Sequence, residues 1–156
     1  MSSDNDEPAA KSAAEESTAD QTSYFREVSG SELAEILEAH RRWIETKHRD
    51  GERANLQNAI LVKANLSGAR LSGANLSGAY LSGADLSRAN LTKASLFRAN
   101  LTEADLANAE LSDADLRVAD LRGAIHLTQE QLDTASGDGE TQLPGGVDDP
   151  SRRCPL

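Results

Sequence analysis

The stretch Ser67–Leu86 reads SGARLSGANLSGAYLSGADL. Leucine returns every fifth residue, alanine stands two places before each leucine, and Ser-Gly follows. In both directions from there the spacing holds without a slip for 14 leucines, from Leu56 to Leu121, with alanines from Ala54 to Ala119. The residue before leucine is Asn or Asp in 9 of the 14 repeats, and the residue after it is Ser or Thr in 8 of the 14.

A period of five fits neither regular element. On a helix, five residues turn through about 500°, so successive leucines spiral around the axis by about 140° and no apolar face forms. Asn, Asp, Ser and Gly, which fill the other positions, are also weak helix formers. On a flat strand, Ala and Leu two apart share a face, but the next alanine, three further on, would point the other way. The chain must therefore bend once per repeat. Gly68, Gly73, Gly78 and Gly83 stand at that bend, where a residue free to take positive φ is useful. Bends repeated in one sense wind the chain into a coil with Ala and Leu inward. Stacked coils hydrogen-bond like neighbouring strands, about 4.8 Å apart. Periodicity alone leaves the number of sides and the hand open.

The unbroken A-(N/D)-L-(S/T)-(G/x) run resembles the pentapeptide-repeat family. The resemblance implies an all-β solenoid: a right-handed, four-sided β-helix with four pentapeptides per coil. The segments GERANL and LTQEQLDTASGDGETQLP, which flank the repeats, also resemble the flanks of bacterial members. Ile60, Arg70, Tyr80, Ser95 and Glu110 depart from Asn or Asp before leucine, and His126 stands where a fifteenth leucine would.

The remainder reads as follows. Residues 1–22 form an acidic tail without apolar period, expected to be disordered. Residues 23–50 form a helical N-terminal cap. Leu33, Ile36, Leu37, His40 and Ile44 lie on one face of a helix from Ser29 to about Lys47. Ser29 with Glu32 suggests a capping box, Ser31 is the competing N-cap, and Gly51 permits a turn. Trp43, bordering the apolar face, is expected to cover an open core end. Residues 51–127 are the repeat coil. Residues 128–156 hold a short capping helix, with Thr128 and Gln131 as a second capping box, Leu132 facing back and Gly137 as terminator. An irregular tail follows.

The chain has 156 residues and a net charge of -10, which argues against a nucleic-acid binder held by phosphate contacts. Cys154 is the single cysteine, so no internal disulfide is available. The N-terminal residues do not read as a signal peptide, and no apolar run approaches the roughly 18 residues of a membrane span. The expectation is a soluble, cytoplasmic protein without membrane contact.

Chemistry is hard to find. Residues 20 apart stack in a four-sided coil, which makes Asp85 and Asp105 vertical neighbours, but a convex face offers no pocket to shift a carboxylate pKa. Lys93 and Asp113 stack as an opposite-charge rung. His40, His48 and His126 show no metal spacing. His40 is expected to line the helix–coil contact and His126 to cover the last coil. There is no phosphate loop and no nucleophile beside a base. The expectation is no catalytic residue, no metal and no cofactor.

What remains is surface. Ile60, Val62 and Tyr80 are apolar where the other outward positions are polar, and Phe97 and Val118 form a smaller group on the neighbouring side. Such a cluster asks for a cover. Tyr24, Phe25 and Val28 are the cover within the chain; a partner protein or a homodimer contact is the alternative. The leading functional reading is a non-enzymatic interaction or scaffold module with a protein partner. The second comes from the resemblance, because some members mimic DNA, bind gyrase and protect it from quinolones. Mimicry needs an acidic rod. Residues 51–125 carry 8 acidic and 8 basic side chains and are neutral, the excess charge lying in the flanks.

Overall fold

The computed structural model describes residues 25–148. The acidic segment 1–22, Tyr24 and Cys154 lie outside them. Four regular elements are present: strand β1 (Arg26–Glu27), helix α1 (Gly30–Glu45), strand β2 (Ala59–Ile60) and helix α2 (Gln129–Thr134). Most of the structure is a coil of turns and single-residue bridges.

Each repeat closes a four-residue turn. The leucine carbonyl accepts from the alanine N–H three residues on, at 2.9–3.1 Å, in all 14 repeats. The third turn residue has φ between 56° and 72° every time, as a type II turn requires. Glycine fills that corner in five repeats. The other nine hold Asn58, Lys63, Arg88, Lys93, Arg98, Glu103, Asn108, Asp113 and Val118 in the same left-handed conformation. The glycines marked the corner, but the coil imposes it on every residue type.

Parallel bridges join residues 20 apart, from Asn55↔Asn75 to Asp105↔Ile125. Twenty residues are four repeats, so the coil has four sides. In the interior, the N–H groups of leucine and of the corner residue donate to the coil that follows, and the N–H before leucine donates to the alanine carbonyl of the coil before. Four of the five N–H groups per repeat are thereby used. The fifth belongs to the residue after leucine. It donates to Oδ1 of the Asn or Asp two places earlier in all nine repeats that have one, at 3.0–3.2 Å. That bond accounts for the Asn/Asp preference, since buried or half-buried backbone groups need partners. Inside, all the repeat leucines are buried, from Leu56 to Leu121. The alanines are buried too, apart from Ala64 and Ala69, which are half-buried on the first coil.

The two ends differ from the interior. At the first, β1 adds a parallel rung beside β2, with Arg26 opposite Ala59 and Glu27 opposite Ile60. Helix α1 then lays Leu33, Ile36 and Leu37 against the core. Its N-cap is Ser29, whose Oγ accepts from the Glu32 N–H at 3.1 Å. The box is only half made, because the Glu32 carboxylate engages Arg26 instead. Gly51 has φ 83°, and a Cβ there would lie 2.2 Å from the Ala39 carbonyl oxygen. The return from helix to coil is therefore possible only with glycine.

At the other end, α2 carries the complete capping box of Thr128 and Gln131, and Leu132 is buried. The helix stops at Thr134 with Ala135 as C-cap, not at Gly137. The Gln131 amide donates to the carbonyls of Leu106 and Ala109, both at 2.8 Å. It stands in for a backbone donor of a further coil. The ladder also continues past the helix: Ser136 bridges Asp115, and Gln142, in the tail expected to be irregular, bridges Asp120. His126 does not cover the coil. It stands exposed at a corner with φ 61° and holds the Asp105 carboxylate at 2.9 Å.

Candidate interaction surface

Ile60 and Tyr80 bridge each other on one side of the coil, and Glu27 of β1 extends that ladder by one rung. Side chains at this position point outward because the leucine beside them points in. Ile60 is 37 % exposed and Val62, two residues on, 49 %. Phe25 meets the half-buried Tyr80 edge to face, with ring centroids 5.0 Å apart at 68°, a favoured aromatic geometry. Val28 packs against the core. The chain therefore supplies part of the cover expected of it, but Phe25 is itself 44 % exposed, and Ile60 and Val62 stay open. Glu27, Val28, Ser29, Glu32 and Ile60 line a shallow hollow at the edge of this patch.

Phe97 and Val118 have different surroundings. The Arg98 and Arg117 guanidinium carbons stand 5.1 and 5.6 Å from the Phe97 ring centroid, within cation–π range. Val118 is a half-buried corner residue at φ 61°, and its N–H donates to the Asp138 carboxylate at 3.1 Å. The two are thus engaged separately, Phe97 by arginines and Val118 by the C-terminal segment. One exposed apolar residue escaped the sequence reading. Ile125, 47 % exposed, tops the column Asn65–Asp85–Asp105. The leucine period ends at Leu121 and does not reach it, although Ile125 still occupies the position before a corner.

The charged groups pair along the coil. Arg117 binds the Asp115 carboxylate at 2.8 and 2.9 Å, and Arg122 binds Asp120 at 2.7 and 2.9 Å. The hydrogen bond from each arginine holds its aspartate below the usual carboxylate range, and the bond from His126 does the same for Asp105. Among the described residues no group of three His, Cys, Asp or Glu side chains is placed to hold a metal ion. No helix among them is long and apolar enough to cross a membrane.

The pentapeptide-repeat family model matches residues 52–88 and 84–123 with 8 copies of the repeat. The chain belongs to the pentapeptide-repeat family. Solved structures of the family resemble it. The pentapeptide-repeat protein Rfr23 from the cyanobacterium Cyanothece 51142 is 31% identical over 62% of this chain and 68% of its own, with a TM-score of 0.30. A pentapeptide-repeat protein from Nostoc Pcc 7120 is 27% identical over 78% of this chain and 89% of its own, with a TM-score of 0.38. QnrB1, a plasmid-mediated fluoroquinolone resistance protein, is 22% identical over 68% of this chain and 66% of its own, with a TM-score of 0.39. No curated protein matches the chain. In this pentapeptide-repeat protein the repeat supplies a stiff four-sided body, and the residues that break the pattern mark the candidate surface.

Proposed function

We propose that this pentapeptide-repeat protein is a non-enzymatic interaction module that docks another protein on the patch of Phe25, Ile60, Val62 and Tyr80. One observation carries the reading: Ile60 and Val62 remain 37 % and 49 % exposed although Phe25 already packs on Tyr80, the bridge partner of Ile60. Neighbouring apolar side chains on a rigid face with a polar surround are what a docking site presents. Helices α1 and α2 serve this module as end caps. Their side chains meet backbone groups that a further coil would otherwise satisfy, which protects exposed strand edges from unwanted pairing.

The DNA-mimic reading ranks second. The coil is neutral, and of its acidic stretch Glu103, Asp105, Glu110, Asp113, Asp115 and Asp120, three carboxylates are bound by His126, Arg117 and Arg122. The test of the first reading is affinity capture from the native host with the wild-type chain and with the double variant Ile60→Lys, Val62→Glu. The expected result is a protein captured by the wild type and lost with the variant, while the two melt alike. An identical captured set from both would overturn the docking assignment.

A further inference from the structure

His40 is the only buried polar or charged side chain among the described residues, with no exposed surface. It belongs to α1, yet both ring nitrogens bond the coil. Nδ1 accepts from the Ala54 N–H at 3.0 Å, and Nε2 lies 3.0 Å from the Ser72 carbonyl oxygen. A carbonyl only accepts, and an amide N–H only donates, so the ring must be neutral with its proton on Nε2. The two contacts tie the helix to the first repeat, where the ladder begins, and to the turn after Leu71. Trp43 stacks on the His40 ring with centroids 5.3 Å apart, and His48 stacks on Trp43 at 3.8 Å.

We propose that His40 is an acid-sensitive clasp, and that its protonation releases α1 from the first coil. A proton on Nδ1 would face the Ala54 N–H donor to donor, which loses the bond and leaves a charge in a dry contact. The charged group acting on His40 is the Arg53 guanidinium from the segment that leads into the coil, and it opposes protonation. Arg53 itself donates to the Gly73 carbonyl beside the Ser72 contact. Both ring nitrogens face backbone, and neither meets a carboxylate that would welcome a second proton. Burial, first, holds the His40 pKa below its ordinary value; the Ser72 and Glu52 backbone carbonyls pull it up, and Arg53 adds to the lowering.

The sign follows. With α1 docked, His40 resists the proton; with α1 released, it titrates near the ordinary value of about 6.5. The docked state is at full strength above that pH and loses ground below it, by about tenfold in the docked-to-released ratio per pH unit, until the docked ring itself is protonated. Release bares Leu33, Ile36 and Leu37 of the helix and the leucine layer of the first coil. The remaining ladder holds no comparable buried group among the described residues, so the coil persists.

Trp43, the single tryptophan of the chain, reports the event. Its emission is followed from pH 7.5 to 5 on the full-length protein, with a dye for exposed apolar surface and far-ultraviolet dichroism in parallel. The wild type should show a red shift and dye binding that set in below about pH 6.5, with the coil signal retained. His40→Gln, which keeps a donor for Ser72 but cannot titrate, should remove the transition, and His48→Gln should keep it. A transition that survives His40→Gln, one abolished by His48→Gln, or none in the wild type would overturn the clasp. Should His40→Gln fail to fold, imidazole resonances of the labelled wild type decide. The Nε2–H form with a midpoint below 6.5 supports the clasp, and a freely titrating ring with an ordinary midpoint refutes it.

Discussion

Oδ1 of Asn90 accepts the backbone N–H of Thr92 at 3.0 Å. The same bond recurs wherever Asn or Asp precedes a repeat leucine, so this polar side chain completes the backbone hydrogen bonding. Asn90→Ala should lower stability by about 1 kcal/mol, and Asn90→Asp should be close to neutral. Glu110→Asn, which supplies the missing acceptor to Ser112, should raise stability by up to about 1 kcal/mol. Thermal unfolding followed by circular dichroism measures all three. Equal melting of Asn90→Ala and wild type would show that water satisfies that N–H as well as the side chain does.

The corners separate conformational cost from clash. Gly68 has φ 68°, and a Cβ there would meet nothing within 4 Å. Gly68→Ala should therefore cost only the left-handed conformation, about 1–2 kcal/mol. Lys93, at φ 59°, offers the reverse exchange, and Lys93→Gly should be neutral to stabilising by about 1 kcal/mol. Gly51→Ala adds a backbone clash to the same strain and should be the most damaging of the three, with loss of α1 docking seen in Trp43 emission.

Leu86 is fully buried, whereas Ser87 is half-buried with its side chain on the Asp85 carboxylate. Leu86→Arg places an unpaired charge in the leucine stack and should prevent folding or cost more than about 4 kcal/mol. Ser87→Arg should be nearly neutral, because Arg117 and Arg122 already occupy the equivalent position and bind the aspartate two residues back. Similar melting of the two variants would contradict the inward and outward assignment.

DNA mimicry needs a continuous negative field. With a neutral coil and Asp105, Asp115 and Asp120 paired, the purified protein should neither inhibit gyrase supercoiling nor protect the enzyme from a quinolone. A gyrase-active member of the family serves as the positive control. Inhibition that weakens with added salt would put the DNA-mimic reading first.

The interior of this protein is legible in residue spacing. Leucine and alanine at a fixed five-residue interval can be buried together only if the chain turns once per repeat, and the glycines from Gly68 to Gly83 showed where. The helices were legible too, because Ser29 and Thr128 are caps whose chemistry is local. The family resemblance implies four sides, since a period of five does not say how many corners close a coil; the 20-residue ladder decides it. Contacts between residues far apart in the chain had to await the folded coil. The helical pattern placed His40 at the helix–coil contact, but its two bonds to Ala54 and Ser72 depend on where α1 comes to rest. The surroundings of the surface residues were likewise invisible to periodicity. Phe97 acquires Arg117 from the next coil, Tyr80 acquires Phe25 from the N-terminal segment, and Ile60 and Val62 are left open because β1 pairs with only two residues before the chain turns into the helix. A repeat fixes what each position does toward its own coil. What lies across the outer face is set by segments outside the repeat, whose placement follows from packing and not from period.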